Sequence, residues 1–286
     1  MNPIIIRLGG VPEHFNLPIH LANENGAFAD KGIDLHWVDC PGGTGQMTKA
    51  LREDELDVCI ALTEGVVADI IKGNPAKLIS TYVTSPLIWG IHTGANNSLQ
   101  KGDDTFTKQH AISRLGSGSH LMAIVNAHEQ YVKIDQSQFT VINNLSGALD
   151  SLKSLETDVF YWEKFTTKPY VDAGQLRRIG EYPTPWPCFV IAATDKVLEN
   201  QPDAIKSMLD VIQTSCTAFM KDSTMVSIVS KRYEIEERDA KAWYGMTQWA
   251  NSSKIDSVMI DQVVSSLKSA GIIGDMDLPR MIWDNH

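Results

Sequence analysis

Gly32-Ile33-Asp34-Leu35-His36-Trp37-Val38-Asp39-Cys40-Pro41-Gly42-Gly43-Thr44-Gly45-Gln46 holds one complete passage from strand to helix, and its reading decides the fold. Gly32 is a stop for the segment before it, and Ile33 to Val38 is a strand candidate. Pro41 to Gly45 breaks regular structure, with glycines that let a backbone or a ligand come close. Thr44 then offers a hydroxyl near the amino end of a short helix, Gln46 to Arg52.

The same passage repeats on both sides. Ile4 to Leu8, Leu56 to Leu62 and Leu78 to Val83 are further strands, separated by helices at Leu17 to Phe28 and Gly65 to Ile71, with Gly26 and Gly73 at their stops. Alternation of this kind predicts a parallel sheet covered by helices. After Trp89 to His92 the cluster Gly94-Ala95-Asn96-Asn97-Ser98 continues neither strand nor helix, which marks a crossing into a second lobe near Leu87. There the strands are Ala111 to Leu115, Phe139 to Asn143, Val159 to Trp162 and Leu176 to Ile179, with helices beginning near Ser119, Ser146 and Lys164. Pro183-Thr184-Pro185-Trp186-Pro187 is a stiff connector back, followed by a buried strand, Cys188 to Ala193. The remainder is helical. Ile205, Met208, Leu209, Ile212, Cys216 and Phe219 form one apolar stripe behind Pro202, and Met259, Val263, Leu267 and Ala270 form another, ended by Gly271. The expected class is therefore α/β, a two-lobed clamp with a hinge of two crossings and a helical carboxyl-terminal tail packed on the first lobe. Residues 1–88 plus 189–286 form lobe 1, and residues 89–188 form lobe 2.

Composition narrows the function. A net charge of −10 with no basic stripe argues against a nucleic-acid partner. No stretch reaches the roughly 18 apolar residues of a membrane span, so direct membrane insertion is not expected. The start, Met1-Asn2-Pro3-Ile4-Ile5-Ile6-Arg7, lacks a basic n-region and a long apolar core, which predicts a cytoplasmic protein, or a periplasmic or secreted one if a leader has been removed. Cys40, Cys59, Cys188 and Cys216 form no C-x-x-C pair and read as buried small hydrophobes. The histidines show no ligand spacing for a metal, and neither metal nor cofactor is expected. Nucleophile-elbow, Walker, H-E-x-x-H and complete G-x-G-x-x-G motifs are all missing, and no catalytic residue is assigned.

Open α/β sheets bind small molecules at the carboxyl ends of their strands, so the candidate contacts are sought in those loops. The first loop brings Glu13, His14 and Asn16, the second Thr44, and the third Thr63 and Glu64. In the second lobe Gly116-Ser117-Gly118-Ser119-His120 opens a helix whose N–H groups and dipole suit an anion, with Ser117, Ser119 and His120 as contacts or caps. Asn144 stands at the next helix start. Trp162 and Glu163 offer a ring and a hydrogen-bond acceptor for a planar ligand, and Trp186 lines the cleft or the hinge.

Taken in order, these pieces resemble the type II periplasmic-binding-protein fold, in the branch of sulfonate, taurine and nitrate binders and thiamine-pyrimidine-precursor binding proteins of ABC transporters. The resemblance rests on Pro18-Ile19-His20-Leu21-Ala22, Gly26-Ala27-Phe28, Gly32-Ile33-Asp34-Leu35, Gly42 to Gln46, Leu56-Asp57-Val58, Thr63-Glu64-Gly65, Gly116 to Ser119 and Trp162-Glu163-Lys164-Phe165. It implies a ligand held between the lobes by Asn16, Thr44, Thr63, Glu64, Ser117, Ser119, Asn144 and Trp162 or Glu163, and ABC-transporter membrane subunits as partners if the chain is exported. The expected function is solute-binding-protein-like binding of a small anionic or heteroaromatic metabolite. The alternative is a cytosolic enzyme of the same fold, of thiamine-pyrimidine or menaquinone-pathway type, although the cysteine-rich motif of the yeast-type pyrimidine synthase is missing here. A transcription-regulator effector domain is disfavoured because no helix-turn-helix precedes the first strand.

Overall fold

The computed structural model describes residues 3–275 and 277–284. In chain order the strands are β1 (Ile4–Gly10), β2 (Ile33–Asp39), β3 (Val58–Leu62), β4 (Ala76–Val83), β5 (Ile88–Gly94), β6 (His110–Ile112), β7 (Phe139–Val141), β8 (Val159–Glu163), β9 (Leu176–Pro183) and β10 (Phe189–Thr194). The chain divides into two units. One comprises Met1–Ser85, Trp186–Val263 and Met276–His286, the other Pro86–Pro185 and Val264–Asp275. The helix Ser257–Ser269 is therefore shared between them, its first half grouping with the first unit and its second half with the other.

In the first unit the sheet order is β2-β1-β3-β10-β4. β1 is parallel to both β2 and β3, whereas β10 runs antiparallel to β3 and β4. Register sets Phe189 opposite Leu62 on one side and Val83 on the other, so the carboxyl ends of β3 and β4 and the amino end of β10 share one rim. Ile6, Leu8, Val58, Ile60, Leu78 and Val190 are buried along these strands. Each such side chain contributes about 1.5–3 kcal/mol when removed from water. The helix Pro202–Lys221 packs against the helix Leu17–Glu24 and buries the predicted stripe Ile205, Met208, Leu209, Ile212, Cys216 and Phe219.

The second unit has the order β7-β6-β8-β5-β9, with β6 parallel to β7 and β8 and β5 antiparallel to β8 and β9. Trp89 faces Glu163 and Ile88 faces Pro183, which again gathers strand ends and one strand start on a single rim.

Both sheets are mixed rather than wholly parallel as the alternating pattern predicts. The reversed strands, β5 and β10, are the ones that follow a crossing from one unit to the other. A chain entering a unit at its rim can only run away from that rim, which fixes their direction. Several elements are shorter than expected or begin later, among them β3 and β7, which span only Val58–Leu62 and Phe139–Val141. The first helix ends at Glu24, with a separate 3-10 turn at Ala29–Lys31 before Gly32 at φ 73°. β6 stops at Ile112, releasing Ser113 to Leu115 into a loop. The helix expected near Lys164 forms only at Lys168–Asp172. The four cysteines are buried thiols outside any disulfide, as expected.

Candidate functional site

The rim of the first unit is assembled from three strand-to-helix passages and the start of β10. β3 runs without a loop into the helix Thr63–Ile71, which delivers Thr63 and Glu64 directly at the strand end. The Leu62 N–H donates to Thr44 Oγ1 at 3.2 Å, tying the glycine loop after β2 to this end. A Cβ on Gly65 would lie 2.7 Å from Thr44 Cγ2, so the helix start and Thr44 meet because position 65 has no side chain. Thr63 Oγ1 donates to the Pro187 carbonyl at 2.5 Å, and the Trp186 indole N–H donates to Glu64 Oε2 at 2.9 Å. Trp186 is thus buried against Glu64, at the point where the chain passes from one unit to the other. Glu64 itself is 0% exposed, and its Oε1 has no partner among the described residues. Burial pushes its carboxyl up to about 7, partly opposed by the Trp186 bond.

The loop after β1 behaves differently. Asn16 Nδ2 donates to the Val11 carbonyl at 2.8 Å, leaving Oδ1 buried without a partner among the described residues. His14 turns inward, its ring 4.4 Å from Trp243 and 5.9 Å from Tyr233 by centroids. Burial alone pushes its imidazole down to about 3, so it is neutral at any physiological pH. Its neighbours on the helices Met225–Tyr233 and Glu237–Met246 are not signalled by sequence motifs, because an inward histidine and an outward one are written alike. Glu13 stays partly exposed at the same loop.

In the second unit the loop from Ser113 to His120 folds on its own hydroxyls. The Ser113 N–H donates to Ser119 Oγ at 3.0 Å, the Arg114 N–H lies 3.4 Å from Ser117 Oγ, and the two serine oxygens are 3.0 Å apart. Gly116 N–H donates to His120 Nδ1 at 2.9 Å. Ser117 is the N-cap of the helix Gly118–Glu129 but makes no side-chain capping bond, and the first helical amides, Gly118 and Ser119, have no backbone partner among the described residues. Donors left in this way at a helix start are what an anion uses. Arg114, which the sequence reading did not single out, is half-buried in the same loop, where desolvation lowers the guanidinium's pKa. Its only sequence signal is the Arg-Leu-Gly triplet shared with Arg7-Leu8-Gly9.

The other residues assigned to this unit serve its own structure. Asn144 caps the helix Leu145–Lys153 by accepting from the Gly147 N–H at 3.0 Å. Glu163 Oε2 accepts from Phe165 N, Thr166 N and Thr166 Oγ1 at 2.9, 2.7 and 2.8 Å, closing the turn after β8. Burial raises the Glu163 pKa against the pull of these bonds. Trp162 stacks on Phe160 at 5.1 Å and packs against the core cluster of Ala111, Ile142, Ala148, Leu152 and Leu176. At least one face of that ring is therefore occupied by the protein. Among the described residues no three His, Cys, Asp or Glu side chains group as metal ligands, and no helix is long and apolar enough to cross a membrane.

Against known proteins, a family model described as Ca3427-like PBP matches residues 89–182. The product of the Candida albicans CA3427 gene, described as defining a family with the generic periplasmic binding protein fold, is 30% identical to this chain. That similarity covers 96% of this chain and 92% of the other, with a TM-score of 0.88. The alkanesulfonate-binding protein SsuA from Xanthomonas axonopodis pv. citri, bound to MOPS, is 12% identical over 99% of this chain and 96% of its own, with a TM-score of 0.78. The periplasmic aliphatic sulphonate binding protein SsuA from Escherichia coli is 14% identical over 99% and 98%, with a TM-score of 0.75. No curated protein matches the chain by sequence.

Proposed function

This chain belongs to the Ca3427-like family of proteins with the periplasmic-binding-protein fold, and on that premise we propose that it binds a small anionic or heteroaromatic metabolite. The observation that carries the proposal is the loop before the helix Gly118–Glu129, where two amides without backbone partners stand beside two buried serine hydroxyls. Such a set binds an oxyanion through N–H and O–H donors, helped by the positive end of the helix dipole. Alkanesulfonate binding by the Xanthomonas relative supports the anionic class. Delivery to the membrane subunits of an ABC transporter is the proposed use if the chain is exported, and a cytoplasmic binder is the proposal otherwise.

Native mass spectrometry of the purified protein, followed by calorimetric titration with linear alkanesulfonates, tests the reading. We expect one-to-one binding of at least one sulfonate and a loss of about tenfold in affinity for Ser119→Ala, equivalent to about 1.4 kcal/mol. Equal affinity in the variant would remove the serine loop from the account. Recovery of a chemically altered ligand would instead identify turnover.

A further inference from the structure

The helix Pro202–Lys221 buries one face in the first unit and turns another outward. Along the outer face run Asp210, Gln213, Thr214, Thr217, Ala218 and Lys221, at the three- and four-residue spacing of a single stripe. With Asn251 they line a groove of about 730 Å³ that lies wholly within the first unit. Asp210, Thr214, Ala218, Lys221 and Asn251 are exposed, and Gln213 and Thr217 are partly so. A solvated helix face is commonly rich in charge, whereas the four central positions here carry none. Gln213 Nε2 is buried without an acceptor among the described residues, although it lines an open groove.

The stripe is symmetric about its middle. Asp210 and Lys221 stand about three turns apart, so they project from nearly the same side of the helix. A two-fold axis at the level of Ser215 and Cys216 lays the helix antiparallel on a copy of itself. Position 210 then meets 221, position 213 meets 218, and position 214 meets 217. Both ends pair Asp210 of one copy with Lys221 of the other, and neither residue has an ion-pair partner among the described residues of its own chain. At the crossing stand Thr214, Thr217 and Ala218, small enough for two helices to approach closely. Gln213 meets the small Ala218 of the second copy, with a threonine hydroxyl oxygen beside it to accept from the amide. A surface that complements itself in this way builds a closed dimer. The net charge of −10 makes two copies repel at long range, but this face sums to zero and carries opposite signs at its ends.

We propose that the outer face of the helix Pro202–Lys221 joins two copies of the chain in a two-fold symmetric dimer. One polar helix pair lies at the small end of specific interfaces, so the dimer is weak and forms as concentration rises.

Sedimentation velocity of the full chain, from about 1 μM to about 1 mM at low salt, tests it. The expected result is a concentration-dependent dimer whose Kd rises about tenfold or more in either Asp210→Lys or Lys221→Glu, since each sets like charges together at both ends. An equimolar mixture of the two variants restores opposite charges at both ends, and is expected to form a heterodimer about as tight as the wild-type dimer. Rescue by mixing also shows that each variant is folded. Wild type that stays monomeric throughout, or single variants that dimerise as wild type does, overturns the proposal, and so does a mixture that associates no more tightly than its components. Association beyond the dimer overturns the closed two-fold arrangement.

Discussion

Two buried glutamates, Glu64 and Glu163, sit at equivalent strand ends of the two sheets and are held in different ways. Glu163 closes its own turn through three bonds to one oxygen, whereas Glu64 has the Trp186 indole on one oxygen and none of the described residues on the other. With the Glu64 carboxyl raised by burial to about 7 in the folded chain from an ordinary value of 4.5, the native state holds the proton more tightly than the unfolded state. Its contribution to stability is fully present below pH 4.5, declines as pH rises, and is lost above about pH 7. The difference of about 2.5 pH units corresponds to about 3 kcal/mol. Glu64→Gln is therefore expected to gain stability relative to wild type by about that amount between pH 4.5 and 8, read from urea midpoints across the range. Parallel pH profiles for the two proteins would contradict it. Sequence names both glutamates but cannot separate them, since the distinction lies in which distant N–H groups reach each oxygen.

Elements are positioned here by close approaches that only glycine permits. Gly147 lies in the first turn of the helix Leu145–Lys153, where alanine would ordinarily favour helix by about 1 kcal/mol. Its ideal Cβ, however, would stand 2.0 Å from the Ile142 carbonyl oxygen. Gly147→Ala is thus expected to destabilise the chain by about 1–3 kcal/mol, through displacement of the loop that carries Asn144, and to lower the urea midpoint. An unchanged or higher midpoint would show that the loop yields freely. The same logic applies at Gly65 against Thr44, where a helix start is pressed onto a neighbouring loop. At this scale the sequence reading located most passages between strand and helix but not their ends, because β6 and the helix after Glu163 are trimmed by side-chain bonds to the backbone.

For the whole molecule, binding of an anion by the native state but not by the unfolded chain raises stability by mass action. Saturation with an alkanesulfonate at about a hundred times its Kd is expected to add about 2.7 kcal/mol, which for a chain of this size is a rise in Tm of about 4–5 °C. An unshifted Tm at concentrations that saturate the calorimetric signal would mean that binding does not depend on the native fold. Each sheet carries one reversed strand next to a crossing, and within each unit that organisation brings residues far apart in sequence to the rim of its own sheet: Thr44, Glu64 and Trp186 in the first unit, and separately Ser117 and Glu163 in the second.

By itself, the sequence determined the α/β class, the helical carboxyl-terminal part, the buried cysteines and the loops in which candidate contacts lie. These follow from local periodicity and from glycine and proline placement, which act within a few residues. Tertiary structure alone decided which side chains are available. Phe160 covers one face of Trp162, Trp243 and Tyr233 flank the His14 ring, and Asn144 accepts from Gly147, while His14 Nε2, Glu64 Oε1 and the Gly118 and Ser119 amides have no such partner among the described residues. The physical reason is that a polar atom's availability depends on every group brought within hydrogen-bond distance, and those groups converge only when the sheets form.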